Sequence, residues 1–97
     1  STLSPGGFTV INLANLENAD LSHANLRGIQ SEKADFRFAN LTDADLPAAI
    51  IGGSSLRRAN VSNADFSNVE LATVNMEYAN FSEAKNADIP SYKMHLR

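Results

Sequence analysis

The sequence predicts an all-β solenoid: a chain that turns a corner at every fifth residue and stacks on itself at every twentieth. Three observations predict it. From Thr9 to Glu83 the chain reads as 15 consecutive five-residue blocks, typically Ala, Asn or Asp, Leu or Phe, then two variable residues, as in Ala19-Asp20-Leu21-Ser22-His23 and Ala64-Asp65-Phe66-Ser67-Asn68. The third residue is apolar in 14 of the 15 blocks and the first is Ala in 10, so two inward positions stand out. The departures from this pattern on the outward positions recur at a spacing of 20.

A period of five suits neither regular element. A helix advances about 100° per residue, so successive third-position residues would spiral around it instead of forming one stripe. A plain strand alternates with period 2 and would throw Leu16, Leu21 and Leu26 onto opposite faces. A short extended segment with its first and third residues inward, followed by a corner at the fourth and fifth, satisfies the pattern. The predicted core is then Ile11, Leu16, Leu21, Leu26, Phe36, Leu41, Leu46, Ile51, Leu56, Val61, Phe66, Leu71, Met76 and Phe81. Ser31 occupies the remaining slot. Its block begins with the bulkier Ile29, a volume exchange in which the Ser31 hydroxyl is expected to bond to nearby backbone.

The outward residues set the number of blocks per coil. At the second position, Asn or Asp fills 10 of 15 blocks, and four of the five exceptions are Val10, Gln30, Ile50 and Glu70. Ser22, Thr42, Ser62 and Ser82 recur at the fourth position with the same spacing of 20, as do Glu17, Arg37, Arg57 and Glu77. A 15-residue coil scatters these sets, whereas four blocks per coil align each on one wall, with backbone bonds running between coils.

Blocks of the form Ala-Asp/Asn-Leu-x-x resemble those of the pentapeptide-repeat family, over about three quarters of the chain. The resemblance implies a right-handed quadrilateral parallel β-helix of about four coils. Its expected divisions are an N-terminal cap over 1–8, the β-helix over 9–83 and a C-terminal cap or tail over 84–97. It also implies a bacterial, cyanobacterial or plastid setting.

Composition narrows the function classes. The chain holds no cysteine, hence neither a disulfide framework nor a thiolate metal site. No apolar run is long enough to span a membrane, so no membrane insertion is expected. Residues 9–83 carry ten acidic and five basic side chains, which is no footprint for direct nucleic-acid binding. His23 lies above Asp43 and beside Ser22, but corner residues on a convex rod make no pocket, so no catalytic site, cofactor or metal is expected. The matches to the glycosylation sequon at Asn40, Asn60 and Asn80 follow from the repeat, which writes Asn before a core residue and Ser or Thr after it.

The most decorated wall contains blocks 14–18, 34–38, 54–58 and 74–78. Its corner column reads Asn18, Phe38, Arg58, Tyr78, which would set a guanidinium between two rings, and beside it run Glu17, Arg37, Arg57 and Glu77. Phe38, Arg58, Tyr78, Arg37 and Arg57 form the candidate partner surface, since aromatic residues and Arg dominate binding hot spots. The same residues also describe a self-satisfied ladder of cation–π and ion pairs. The wall of blocks 9–13, 29–33, 49–53 and 69–73 instead shows Val10, Leu13 and Ile50 outward. Asp45 and Asp65 fall below Asn25 on a further wall, as turn carboxylates.

Solenoid ends need covering. Phe8, after Pro5-Gly6-Gly7, is expected to fold over the first coil. At the other end Asn86 falls in a core slot, and Ala87-Asp88-Ile89 resumes the pattern shifted by three. Ile89, Tyr92, Met94 and Leu96 are expected to close the coil or to form an end-to-end homodimer contact, leaving monomer or dimer open.

The function expected is a non-enzymatic protein–protein interaction or scaffolding module. The resemblance offers two alternatives: a DNA-mimicking regulator of DNA gyrase or another topoisomerase, and the β-helix portion of a larger bacterial effector. If the core register is right, Leu41→Asp or Phe66→Asp abolishes cooperative thermal unfolding measured by circular dichroism. Retained cooperativity would contradict the register.

Overall fold

An L-residue avoids positive φ because its Cβ crowds the following carbonyl, at a cost of about 1–2 kcal/mol. This chain adopts that conformation at nearly every corner. In the computed structural model, which describes residues 10–91, the fifth residue of 14 of the 15 blocks has φ between 54° and 71°. The next amide then donates to the carbonyl two residues before the corner, as from Ala24 to Leu21 at 3.1 Å and from Ala59 to Leu56 at 2.8 Å. Positive φ at the third residue of such a turn is what type II requires, and Pro47 suits the position just before it. Gly28 and Gly53 adopt the corner without strain, and Asn18, Asn63 and Asn68 tolerate it. Leu13, Phe38, Arg58 and Tyr78 bear the full cost, which burial of one third-position Leu or Phe, at about 1.5–3 kcal/mol, offsets.

The preference for Asn or Asp at the second position has a local cause. Its Oδ1 accepts the amide of the fourth residue, as in Asn15–Glu17 (3.1 Å), Asn60–Ser62 (3.0 Å) and Asp65–Ser67 (2.9 Å). This Asx turn ties the outward side chain to the start of the corner. A fourth-position hydroxyl adds a second bond to the same oxygen: Ser22 to Asp20 at 2.7 Å, Thr42 to Asn40 at 2.6 Å and Ser67 to Asp65 at 2.6 Å. These bonds account for the sequon-like triplets. They also hold the Asp20, Asp35 and Asp65 carboxyls below their ordinary pKa, chiefly through the side-chain donors Ser22, Arg37 and Ser67 and then through the corresponding amides.

Successive coils join through parallel bridges between residues 20 apart, for example Asp20–Asn40–Asn60–Asn80. Each bridge is isolated, one to a block, so the walls form a parallel ladder without long strands. The rungs run in both directions: Leu21 donates to Asn40 at 2.7 Å, and Asn40 donates to Ala19 at 2.9 Å. Four blocks therefore make one coil. We number the coils from the blocks that begin at 9, 29, 49 and 69, and each coil's four blocks build the first to fourth walls in order.

First- and third-position side chains fill the axis. Phe66 and Phe81 meet there with ring centroids 5.5 Å apart. Between Phe36 and Phe66 the third-position side chains leave an apolar void of only about 10 Å³, room for at most one water and lined by nothing that would hold it. Three expectations need correction. Leu16 is only partly buried, like Ile11 and Ala19; among the described residues the first coil is covered by the second coil alone. Asn86 does not enter its core slot. It is exposed at φ 58°, so the chain turns two residues early, and its Nδ2 donates to Ser67 Oγ at 2.9 Å. That early turn brings Ala87 and Ile89, partly buried, against the core.

The third correction concerns Ser31. Its Oγ is buried and has no hydrogen-bond partner. The bonding hydroxyl belongs instead to Ser54, one coil away. Ser54 Oγ accepts the Ala34 amide at 3.0 Å and donates to the Ser31 carbonyl at 2.7 Å, bridging the turn bond that other blocks close directly. The expected cap over 1–8, Phe8 included, and Tyr92, Met94 and Leu96 lie outside the described residues.

Ser31→Ala removes an orphaned buried hydroxyl and is expected to raise the melting temperature. Ser54→Ala orphans an amide and a carbonyl and is expected to cost about 1–3 kcal/mol. The reverse order of melting temperatures would contradict these assignments. Acid should act through the Asx carboxylates. A depressed folded pKa means that the unfolded chain binds protons first, so this stabilisation is present above about pH 4 and lost as pH falls through the folded values. In the triple variant Asp20→Asn, Asp35→Asn, Asp65→Asn the turns keep an acceptor that does not titrate. Its melting temperature, followed by calorimetry, should fall less steeply below about pH 4 than that of the parent. Equal slopes would contradict a part for these three carboxylates in the acid response.

Candidate interaction surface

The second wall carries the columns singled out from the sequence, and it stacks them as expected. Asn15–Asp35 and Ser55–Asn75 are bridged along it, and Asp35–Ser55 joins the two pairs. The corner column Asn18, Phe38, Arg58, Tyr78 is thus set by left-handed corners that aim each side chain away from the axis. Phe38 is 47% exposed and Tyr78 57%.

The guanidiniums do not sit as the column alone suggests. Arg58 Cζ lies 4.7 Å from the centroid of the Tyr78 ring, and Arg57 Cζ lies 5.7 Å from the same ring. Both cations turn toward Tyr78, rather than one lying between Phe38 and Tyr78. Arg57 also approaches Glu77, Nε to Oε1 3.6 Å. One coil away, Arg37 forms a two-pronged contact with Asp35, Nε–Oδ1 2.9 Å and Nη2–Oδ2 2.7 Å, and reaches Glu17 at 3.6 Å. Asp35 and Glu17 hold the Arg37 guanidinium above its ordinary pKa, the Asp35 hydrogen bonds being the larger cause. Surface pairs of this kind contribute about 0–1 kcal/mol each, so they orient the side chains more than they hold the fold. Among the described residues, Arg58 forms no ion pair with a carboxylate.

The other candidates resolve differently. Asp45 and Asp65 are bridged along the fourth wall, below Asn25, with Lys85 next in the column. Pro47 has no amide to donate, so Asp45 makes no Asx turn and accepts Arg27 Nε at 3.1 Å. Asp65 is tied to Ser67 and Asn86. These carboxylates are therefore bonded within the structure, and the acidic column is short and interrupted. His23 Nε2 lies 3.7 Å from Asp43 Oδ2 on an exposed corner, while the neighbouring Ser22 hydroxyl is bound to Asp20. On the first wall Val10, Leu13 and Ile50 are exposed, and an open groove of about 320 Å³ is lined by Asn12, Leu13, Glu32 and Lys33. No group of three or more His, Cys, Asp or Glu that could hold a metal ion occurs among the described residues.

Sequence reasoning placed the columns but missed the corner chemistry. A signal for it was present: Gly, Asn, Asp and His, the residues most tolerant of positive φ, fill seven of the 15 fifth positions (Asn18, His23, Gly28, Asp43, Gly53, Asn63 and Asn68).

Comparison with known proteins agrees with this architecture. The family model for pentapeptide repeats matches residues 14–53 and 54–85, in 8 copies. No curated protein matches the chain. Among solved structures, a pentapeptide repeat protein from the Arabidopsis thaliana thylakoid lumen superposes with a TM-score of 0.61 at 24% identity, covering 93% of this chain and 77% of that one. That likeness is one of fold. HetL, a pentapeptide repeat protein involved in heterocyst differentiation regulation from the cyanobacterium Nostoc sp. strain PCC 7120, is 27% identical over 79% of this chain at a TM-score of 0.48. This chain spans 38% of HetL's length. A plasmid-mediated fluoroquinolone resistance protein matches at 14% identity and a TM-score of 0.47, over 82% of this chain and 51% of its own. With a repeat in unbroken register, coils of four blocks and a family model covering most of its length, this chain belongs to the pentapeptide repeat family.

Proposed function

We infer that this chain is a non-enzymatic scaffold, a right-handed four-sided β-helix that displays side-chain columns to a protein partner, and that the second wall is its docking face. The observation that carries this reading is Arg58: a cation with no carboxylate partner among the described residues, laid on the exposed ring of Tyr78 and one coil from the exposed ring of Phe38. Arg37 and Arg57 flank it, oriented by Asp35 and Glu77. An arginine laid on one exposed ring, with a second exposed ring one coil away, suits a hot spot, with the rings supplying contact area and the guanidinium a fork for a carboxylate.

The partner this surface fits is a protein segment presenting an Asp or Glu beside apolar side chains. Charge supports that choice. The body over 9–83 is net acidic, so an acidic segment is repelled elsewhere and admitted at the Arg-rich wall, which sets its register. Rigidity supports it as well. The wall is held by corner turns, Asx turns and rungs, so binding orders few additional groups. The gyrase alternative depends on a long acidic surface, and the interruption of the Asp45–Asp65 column by Arg27 and Lys85 weighs against it.

The test compares proteins captured from a lysate by the parent chain, by Arg58→Glu, and by Asn63→Glu, which adds negative charge at a third-wall corner. The expected result is a binder retained by the parent and by Asn63→Glu but lost with Arg58→Glu. The Arg58→Glu change itself should cost no more than about 1 kcal/mol of stability, the worth of an exposed cation–π contact. Undiminished capture by Arg58→Glu, or a much larger loss of stability, would contradict the docking assignment.

A further inference from the structure

The junction between the third and fourth coils is joined by backbone rungs on three walls and lacks them on the remaining one. On the second wall, Leu56 donates to Asn75 at 2.6 Å and Asn75 to Ser54 at 3.0 Å. On the third wall, Val61 donates to Asn80 and Asn80 to Ala59, both at 2.9 Å. On the fourth, Phe66 donates to Lys85 at 2.8 Å and Lys85 to Ala64 at 2.7 Å. The equivalent first-wall rungs, Ile51 to Glu70 and Glu70 to Ala49, are not formed, and the bridge series Val10–Gln30–Ile50 stops before Glu70. One coil earlier the same rungs are present: Ser31 donates to Ile50 and Ile50 to Ile29, both at 2.8 Å.

The corner that follows explains the break. Thr73 is the one fifth-position residue between 9 and 83 outside the positive-φ region. A β-branched residue is the poorest fit to that conformation after proline. The displaced corner offers its hydroxyl instead, and Thr73 Oγ1 accepts the Gly53 amide at 3.1 Å. The glycines opposite make room: a Cβ on Gly52 would lie 3.3 Å from that same hydroxyl. Val69 and Val74, which begin this block and the next, occupy first positions that elsewhere mostly hold Ala. The glycine pair, the threonine corner and the missing rungs thus coincide on one wall of one junction.

We propose that this wall is a seam at which the fourth coil opens from the third, hinging on the bonded third wall opposite, while the first three coils stay folded. Glu77 and Tyr78 lie on the fourth coil, and Arg57 and Arg58, which rest against them, lie on the third. Opening draws the carboxylate and the ring away and releases both guanidiniums. The seam stands on the backbone alone; its effect on Arg57 and Arg58 as a binding surface rests on the docking reading above.

Residue-resolved amide exchange on the full chain, followed by NMR under native conditions, tests the seam. Ile51 and Glu70 are expected to exchange at least about tenfold faster than Val61 and Asn80, their counterparts across the same junction. Equal rates around the junction would mean that the fourth coil frays as a whole, and would overturn the proposal. In Thr73→Gly, which permits the left-handed corner, the ratio of Ile51 to Val61 exchange should fall toward one. An unchanged ratio would overturn Thr73 as the origin of the seam. Loss or retention of partner capture in Arg58→Glu leaves these rates unaffected, so the two readings fail separately.

Discussion

The left-handed corner is the constraint to which the other features of the molecule answer. A five-residue block must reverse its course at the fourth and fifth residues while keeping its first and third on the axis, and positive φ at the fifth does this. Each ordinary side chain placed there costs about 1–2 kcal/mol. The remaining positions of the block divide the compensation. The third buries a large apolar side chain, the second ties its oxygen to the fourth amide, and the corner closes on the third carbonyl. One exception changes the wall around it. Where Thr73 declines the conformation, the first-wall rungs between the third and fourth coils are missing as well.

The coupling between corner and rung bears on the second wall. Its corner side chains Phe38, Arg58 and Tyr78 are exposed because left-handed corners aim them outward. A cation–π and ion-pair ladder and the proposed partner surface are not exclusive readings of it. The ladder's contacts are worth about a kcal/mol or less each in solvent, so a partner carboxylate can replace them at little cost. What the fold contributes is spacing: the coil-to-coil rungs set how far Arg58 stands from Phe38 and Tyr78.

Much of the fold was legible because the core slots are chemically narrow. A third position must be apolar and a first must be small, so the period of five appears as composition. The period of 20 was legible from Val10, Gln30, Ile50 and Glu70, for a reason the sequence does not display. On the other walls, Pro47 excepted, Asn, Asp or Ser closes an Asx-type turn, whereas on the first wall the acceptors of the fourth amide vary. Asn12 Oδ1, one coil away, accepts the Glu32 amide at 2.8 Å, and the longer Glu70 side chain accepts that of Ala72 at 2.9 Å. Details that depend on three-dimensional neighbours were not legible. Either of two serines could have bridged the turn at Ser31–Ala34, and only the stacking of coils assigns it to Ser54. Pro47 frees Asp45 for Arg27 because it lacks an amide, a link that joins residues on different coils. The column Phe38, Arg58, Tyr78 could be read directly, but which ring the guanidinium chose depends on side-chain torsions that a period cannot encode.

The central claim is that backbone hydrogen bonds join residues about 20 positions apart, coil upon coil. Scalar couplings across hydrogen bonds, measured by NMR between amide nitrogen and carbonyl carbon, report donor and acceptor pairs directly. The structure predicts couplings from Leu26 to Asp45, from Leu41 to Asn60 and from Asn60 to Ala39, with none from Ile51 to Glu70. Couplings to carbonyls about 15 residues away, or a continuous series on all four walls that includes Ile51 to Glu70, would contradict the coil described.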